Sequence, residues 1–67
     1  MYEQLAVILR DRIGAGEFER GPLPSVTTLM GAYDVGRDTV IRAIDVLRAE
    51  GLVFTVKRRG TYVARKD

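Results

Sequence analysis

The chain has 67 residues, and its eleven basic and nine acidic side chains give a formal net charge of +2. It contains no cysteine and no histidine. This composition excludes a disulfide framework, a zinc site of the usual ligands, a thiol nucleophile and an imidazole base. A chain of this length is expected to form one domain, residues 1–67, and no apolar run is long enough to span a membrane. We therefore expect no metal, no cofactor, no membrane partner and, since cysteine is absent, a cytoplasmic location.

The charge is unevenly distributed along the chain. Residues 1–34 carry three basic and five acidic side chains, whereas residues 35–67 carry eight basic and four acidic ones. Residues 57–66 include five basic side chains and no acidic one. A basic half on a small domain points to a polyanion as partner, although a solvated surface explains the charge equally well when charge alone is considered.

The first predicted element is a helix. Its apolar residues recur with a period of 3.6 from Tyr2 to Ile13, and Gly14 and Gly16 are typical of a helix C-terminus. A loop rich in Gly and Pro follows. The apolar residues of this loop, Phe18 and Leu23, are expected to anchor it to the core.

Two further helices are predicted, separated by a short break. Ser25 is a strong N-cap residue, and the apolar stripe that follows it predicts a second helix over residues 26–33. The break consists of Asp34-Val35-Gly36. A third helix is expected from Arg37 to about residue 50, with a core stripe made of Val40, Ala43, Ile44 and Leu47.

The last part of the chain changes its period. Residues 52–56 and 61–63 are rich in β-branched and aromatic side chains, which predicts a β-hairpin. Its tip is Lys57-Arg58-Arg59-Gly60. Two helices joined by a three-residue turn describe a helix-turn-helix. With a helix before it and a hairpin after it, the predicted fold is a winged helix-turn-helix, mainly α with a small β-hairpin.

The third helix is the candidate recognition helix, because a helix with its side chains, about 10–12 Å across, fits a major groove about 12 Å wide. Asp38, Arg42 and Asp45 point away from the core stripe. Arg37, in the first turn, is the best candidate for a base contact, since its fork can grip guanine; pairing with Asp34 or Asp38 is the alternative. Asp38 could accept a hydrogen bond from cytosine, but the preferred interpretation is that its negative charge interacts with the helix dipole at the start of the third helix.

Four other residues have two readings each. Thr27 and Thr39 could bind phosphate oxygens or cap the local backbone. For Ser25 the capping role is favoured, and a phosphate contact could accompany it. Ile41 is an apolar residue on a predicted outer face, so it could touch a thymine methyl group or tuck against the edge of the core.

The predicted hairpin tip carries three cations in a tight turn. Lys57, Arg58 and Arg59 repel one another unless a polyanion neutralises them. We therefore favour a wing, ending at Gly60, that places these cations along phosphates or in a minor groove over a merely solvated turn.

Four segments resemble a known family: Leu23-Pro24-Ser25, Tyr33 to Val40, Leu47 to Val53, and Arg59 to Val63. They are similar to the N-terminal DNA-binding domain of GntR-type bacterial transcription regulators. The resemblance implies binding of operator DNA as a homodimer, each winged helix taking one half-site of an inverted repeat. It also implies action on the nucleoid, often as a repressor, and a larger C-terminal domain, absent here, that binds a small-molecule effector.

The family's contact positions carry over unevenly. The resemblance implies DNA contacts at Arg37, Thr39 and Gly60. Family members often have an acidic residue and an arginine where this chain has Val26 and Thr27. Ile41 replaces a second recognition-helix arginine, for which the next residue, Arg42, could substitute. Gly36 stands where the family usually has a serine cap.

Two other classes of function were weighed against DNA binding. A winged helix can serve as a protein-interaction module, and the outward position of Ile41 favours this slightly. An enzyme is not expected, because the chain has no His, no Cys and no Gly-rich phosphate loop.

Overall fold

The computed structural model describes residues 1–19 and 21–64. Within them the predicted winged-helix architecture is confirmed: three helices precede a two-stranded antiparallel sheet. In chain order the elements are α1 Tyr2–Gly14, α2 Val26–Tyr33, α3 Arg37–Ala49, β1 Val53–Val56 and β2 Gly60–Val63. No helix in this part of the chain is long and apolar enough to cross a membrane. Arg65 and Lys66, which belong to the predicted basic stretch, lie outside the described residues.

A single apolar core joins the three helices and the hairpin. All four residues of the predicted α3 stripe are buried, and Leu47 and Val40 are fully inaccessible. Full burial of a side chain of this size contributes about 1.5–3 kcal/mol. The buried apolar residues are Leu5, Ala6, Leu9, Leu23, Leu29, Val40, Ala43, Ile44, Leu47 and Val53. Phe18 packs against this core and Leu23 is part of it, so both predicted loop anchors are confirmed.

The helix ends follow the local sequence. The Ser25 hydroxyl accepts a hydrogen bond from the Thr28 backbone N–H at 3.1 Å, which confirms the predicted cap of α2. Asp34 ends α2 in the left-handed region with φ of 53°. Gly36 precedes α3 and offers no side-chain cap. Predicted to reach about residue 50, α3 ends at Ala49, with Glu50 as its C-cap.

The hairpin is slightly shifted from its predicted bounds. Its register pairs Val53 with Val63 and Val56 with Gly60, so Gly60 begins β2 instead of closing the tip. Leu52 is not in β1, because its backbone N–H bonds to the carbonyl of Leu47 at 3.0 Å and completes the end of α3. The prediction that the strands cover residues 52–56 and 61–63 is therefore wrong at two positions: β1 begins one residue later and β2 begins one residue earlier.

Polar contacts tie α1 to the rest of the fold. Arg10 donates from Nη2 to Glu50 Oε2 at 2.6 Å, and this hydrogen bond holds the pKa of Glu50 below its ordinary value. Arg12 donates to the Tyr33 hydroxyl at 2.7 Å and also bonds Glu17; the Tyr33 bond is the main reason why the pKa of Arg12 is raised. These contacts join the C-terminal half of α1 to the C-terminal ends of α2 and α3.

Candidate nucleic-acid interface

The outward face of α3 lies opposite its buried stripe and is mostly charged. Asp38, Arg42 and Asp45 are exposed, as the helical spacing predicts. Arg37 is the first residue of α3 and is also exposed, whereas Thr39 is half-buried. The face is thus a helix surface with both signs of charge, with Tyr2 of α1 beside Arg42 and with Arg48 at its edge in contact with the hairpin.

The basic side chains of the described residues fall into two sets. The first set is held within the molecule by ion pairs of 2.6, 3.2 and 3.5 Å: Arg10–Glu50, Arg12–Glu17 and Arg48–Asp45. The second set forms no ion pair with any described acidic side chain: Arg37, Arg42, Lys57, Arg58 and Arg59. All five members of this second set, the unpaired cations, are residues that the sequence predicts to contact DNA. They lie only on α3 and at the tip of the hairpin.

The alternative to a base contact for Arg37 was an ion pair with a neighbouring aspartate, and this pair is not formed. Among the described residues Arg37 forms no ion pair with Asp34 and none with Asp38. Its guanidinium therefore remains available for an external acceptor. Asp38 lies in the first turn of α3, where a negative charge is favourable next to the unsatisfied N–H groups.

Arg42 is oriented by a residue of another helix. Its guanidinium carbon lies 5.8 Å from the centroid of the Tyr2 ring, within the range of a cation–π contact. Sequence periodicity assigned Tyr2 only to the core stripe of α1, and it is indeed half-buried. Nothing in the helical spacing relates the start of α1 to the outer face of α3, so this contact could not be predicted.

An open groove of about 660 Å³ runs where α1 meets the outward face of α3. Ile41, which is 37% exposed, lies along it together with Met1 and Tyr2. The other lining residues are Asp38, Thr39, Arg42 and Asp45. Ile41 is thus a partly exposed apolar residue within a polar surface. Both of its alternatives, a contact to a thymine methyl group and packing against the edge of the core, stay predictions.

The three hydroxyl candidates differ in their contacts. Ser25 caps α2 and also donates from Oγ to Thr28 Oγ1 at 2.9 Å, so its hydroxyl is used within the helix. For Thr27 and Thr39 the structure records no side-chain hydrogen bond to any described residue. Their alternative role as local caps is therefore not realised, and their phosphate contacts stay predictions.

The hairpin tip has an unusual backbone. A turn is closed by the Arg59 N–H bonding to the Val56 carbonyl at 3.0 Å. Within it Arg58 has φ of 67°, in the left-handed region where glycine is favoured. Gly60 has φ of 114°, a backbone conformation in which a residue with a side chain is strained, so glycine suits this position. A Cβ there would lie 3.5 Å from Pro22, which is an ordinary contact. The tip thus presents its three cations to solvent.

One polar link between α3 and the hairpin was missed by the sequence reasoning. Arg48 donates from Nη2 to the Thr55 hydroxyl at 3.0 Å. Thr55 pairs with Thr61 across the strands, and their hydroxyl oxygens are 3.5 Å apart. Arg48 lies in the last turn of α3, and only the packing angle of the hairpin decides which strand residue it reaches.

The described residues offer no group of three His, Cys, Asp or Glu side chains that could hold a metal ion. A recognition-type helix after a short turn, a preceding helix and a basic hairpin define a winged helix-turn-helix domain. The description "Bacterial regulatory proteins, gntR family" matches residues 1–63. The chain belongs to the GntR family of bacterial regulatory proteins.

Curated relatives are transcriptional regulators. The uncharacterized HTH-type transcriptional regulator RB1450 of Rhizobium meliloti (strain 1021) is 38% identical over 100% of this chain and 28% of its own length. The HTH-type transcriptional repressor NagR of Bacillus subtilis (strain 168) is 35% identical over 97% of this chain and 27% of its own length. This chain thus spans less than a third of either relative.

Solved structures share the fold. AraR(DBD), in complex with operator ORR3, matches with a TM-score of 0.88 and 31% identity, covering 94% of this chain and 77% of that one. The possible transcriptional regulator YydK of Bacillus subtilis matches with a TM-score of 0.87 and 27% identity, covering 98% of this chain and 29% of that one.

Proposed function

We propose that this domain binds double-stranded DNA in a sequence-specific manner and serves in a bacterial transcription regulator. The observation that carries the proposal is the set of unpaired cations on α3 and at the hairpin tip. Cations without partners inside the protein are free to neutralise phosphates. This neutralisation releases counterions from the DNA, and their release favours association. The similarity to AraR(DBD), which is in complex with an operator, supports the same role here.

In the proposed complex α3 lies in the major groove. The N-terminal residues of a recognition helix reach base edges, so Arg37 is assigned a bidentate contact to guanine. Ile41 is assigned an apolar contact to a thymine methyl group, since it is partly exposed on the same face. Thr27 and Thr39 supply phosphate contacts that fix the position of the helix.

The wing has a different task in this proposal. Lys57, Arg58 and Arg59 contact phosphates or enter the minor groove, and Gly60 follows them at the start of β2. Such contacts are largely independent of base sequence. The wing therefore contributes affinity, whereas α3 contributes discrimination.

The longer regulator is proposed to act as a homodimer on an inverted repeat. The family and the greater length of the relatives support a further domain that binds a small-molecule effector and joins the two copies. We place this action in the cytoplasm, on the chromosome. The proposed role is binding, without a chemical step.

A protein-interaction module is the second candidate. The observation that favours it is the groove beside α3, in which Met1, Tyr2 and Ile41 supply apolar surface. A groove with some apolar surface beside a helix face can accept a partner side chain. Of the unpaired cations, Arg42 lines this groove, and the whole set on α3 and at the hairpin tip is better explained by DNA.

Selection of bound duplexes from a random pool tests the proposed function. We expect recovery of one half-site motif, arranged as an inverted repeat when two copies of the domain are joined, with centres about 10 bp apart or a multiple of it. The matched control is Arg37→Ala, which should change the recovered motif at one base position. Recovery of no duplex at low salt would contradict DNA binding and favour the interaction module.

A further inference from the structure

The link between α3 and the hairpin runs through exposed polar side chains. Arg48, in the last turn of α3, contacts Asp45 Oδ1 at 3.5 Å through Nη1 and donates to Thr55 Oγ1 at 3.0 Å through Nη2. Thr55 lies in β1, directly opposite Thr61 of β2, with 3.5 Å between their hydroxyl oxygens. One guanidinium therefore connects the outward face of the recognition helix to both strands of the wing.

This link lies at the same level of the hairpin as a backbone hydrogen bond from the loop before α2. At its base the hairpin is fixed by Val53, which is buried in the core. Opposite Thr55, the Thr61 carbonyl accepts a hydrogen bond from the Leu23 N–H at 2.7 Å. Beyond Thr55, the described residues 57–59 form no hydrogen bond or ion pair with a helix. Among the described residues, the hydrogen bond from Arg48 to Thr55 is therefore the side-chain tie between α3 and the hairpin that lies nearest to the tip.

The position of the link is better suited to orientation than to stability. The side chains of Arg48 and Asp45 are 51% and 56% exposed, and ion pairs of this exposure contribute little to folding. Arg48 is also the α3 arginine whose donors are directed at neighbours within the molecule, whereas Arg37 and Arg42 have no ion pair with a described residue.

We propose that Arg48 and Thr55 are positioning residues that hold the wing in a fixed orientation relative to α3, so that groove and wing contacts with DNA form together. The proposal rests on the proposed function. With the link in place, the cations of the tip already have their binding orientation relative to α3 when this helix enters the major groove. Without it, the wing has to be ordered during binding. The entropic cost of this ordering reduces the binding free energy that each wing contact contributes.

A double-mutant cycle between the link and the tip tests the proposal. The affinity for a fluorescent duplex carrying the selected half-site is measured for the wild type, Thr55→Val, Arg58→Ala and the double variant. We expect Arg58→Ala to weaken binding about two- to tenfold less in the Thr55→Val background, a coupling typical of residues in one network. Arg48→Ala in place of Thr55→Val should give the same coupling, and Thr55→Ser should preserve the wild-type behaviour.

Arg10→Ala is the matched control, because it removes an arginine from another exposed ion pair, at 2.6 Å, that is remote from the hairpin tip. Its effect and that of Arg58→Ala should be additive. Thermal unfolding of each variant checks that the fold is retained.

Additivity of Thr55→Val and Arg58→Ala would overturn the positioning role. A loss of affinity in Arg48→Ala that Thr55→Val does not reproduce would also overturn it, since it would mean that Arg48 contacts DNA itself. Absence of binding by the wild type would instead overturn the proposed function, and the positioning role with it.

Discussion

At the scale of single residues, the backbone at Arg58 links local strain to the proposed interface. Its φ of 67° lies in a region where a side chain costs about 1–2 kcal/mol. Asp34, at the C-terminus of α2, has φ of 53° and experiences the same restriction, although Asp tolerates it better than most residues. Residues kept in this region are often found at functional sites. The arginine at the tip is thus retained at a conformational cost.

Replacing these two residues by glycine separates strain from function. Arg58→Gly is expected to raise the free energy of unfolding by about 0.5–1 kcal/mol, because glycine adopts a positive φ without steric cost. It should also lower DNA affinity, because a cation of the wing is lost. Asp34→Gly should stabilise the domain by a similar or smaller amount without lowering affinity. Urea unfolding and fluorescence anisotropy measure the two effects; a loss of affinity in Asp34→Gly equal to that in Arg58→Gly would contradict this assignment.

The unpaired cations are expected to divide between discrimination and affinity. Arg37→Ala should cost about 1–3 kcal/mol of discrimination at one base position, since a bidentate contact to guanine is lost. Arg58→Ala should weaken binding to all sequences alike. Competition with duplexes that differ at single positions of the half-site distinguishes the two. If both variants retained the full preference for the selected half-site, the assignment of Arg37 would be wrong.

At the scale of elements, the N-terminus of α2 carries a serine cap for which a phosphate contact is also predicted. Ser25→Ala should lower the free energy of unfolding by about 1 kcal/mol, because the bond to the Thr28 N–H is lost. Ser25→Asp keeps an acceptor at the cap, so stability should be preserved. If Ser25 also faces a phosphate, the same aspartate should reduce DNA affinity by charge repulsion. Thermal unfolding and anisotropy of both variants measure this; unchanged affinity in Ser25→Asp would limit Ser25 to capping.

The elements were predictable to the extent that their signals are local. The stripe of α3 and the Ser25 cap depend on spacing along one helix, so the sequence was sufficient for both. Leu52 and Gly60 were misplaced by one residue, because strand limits depend on which backbone groups find partners across the hairpin. The Arg48–Thr55 link depends on how two elements pack, and no local pattern reports that angle.

The candidate site was predictable for a similar reason. The candidate cations follow from the amphipathic pattern of α3 and from the composition of the tip. Which arginines are already used inside the molecule does not follow from sequence: Arg10 and Glu50 are forty positions apart in the chain. The division into paired and unpaired cations is therefore a result of the tertiary structure.

At the scale of the whole molecule, the Arg10–Glu50 pair connects α1 to the end of α3 and makes stability depend on pH. The pKa of Glu50 is lowered in the folded state by the hydrogen bond from Arg10. In the pH range between this lowered pKa and about 4.3, the usual pKa of a glutamate, the unfolded state therefore binds more protons than the folded state. The contribution of the pair is present above this window and is lost as the pH falls through the folded pKa.

Glu50→Gln tests this dependence. The difference in free energy of unfolding between wild type and variant should be positive at neutral pH and should shrink as the pH falls below about 4.3. Arg10→Ala should give a matching pH profile, because it removes the same bond. Urea unfolding over a pH series provides the measurement, and curves that stay parallel to the wild type throughout would contradict the role of the pair.

The whole molecule is proposed to present its unpaired cations to the phosphates of DNA, and the dependence of affinity on salt tests this most directly. The affinity for the selected duplex is measured over a range of salt concentrations for the wild type, Arg58→Ala and Arg10→Ala. We expect a steep decline for the wild type, a slope of log affinity against log salt that is smaller by about 0.9 in Arg58→Ala, and an unchanged slope in Arg10→Ala. Affinity that does not vary with salt, or equal changes of slope in the two variants, would contradict the claim.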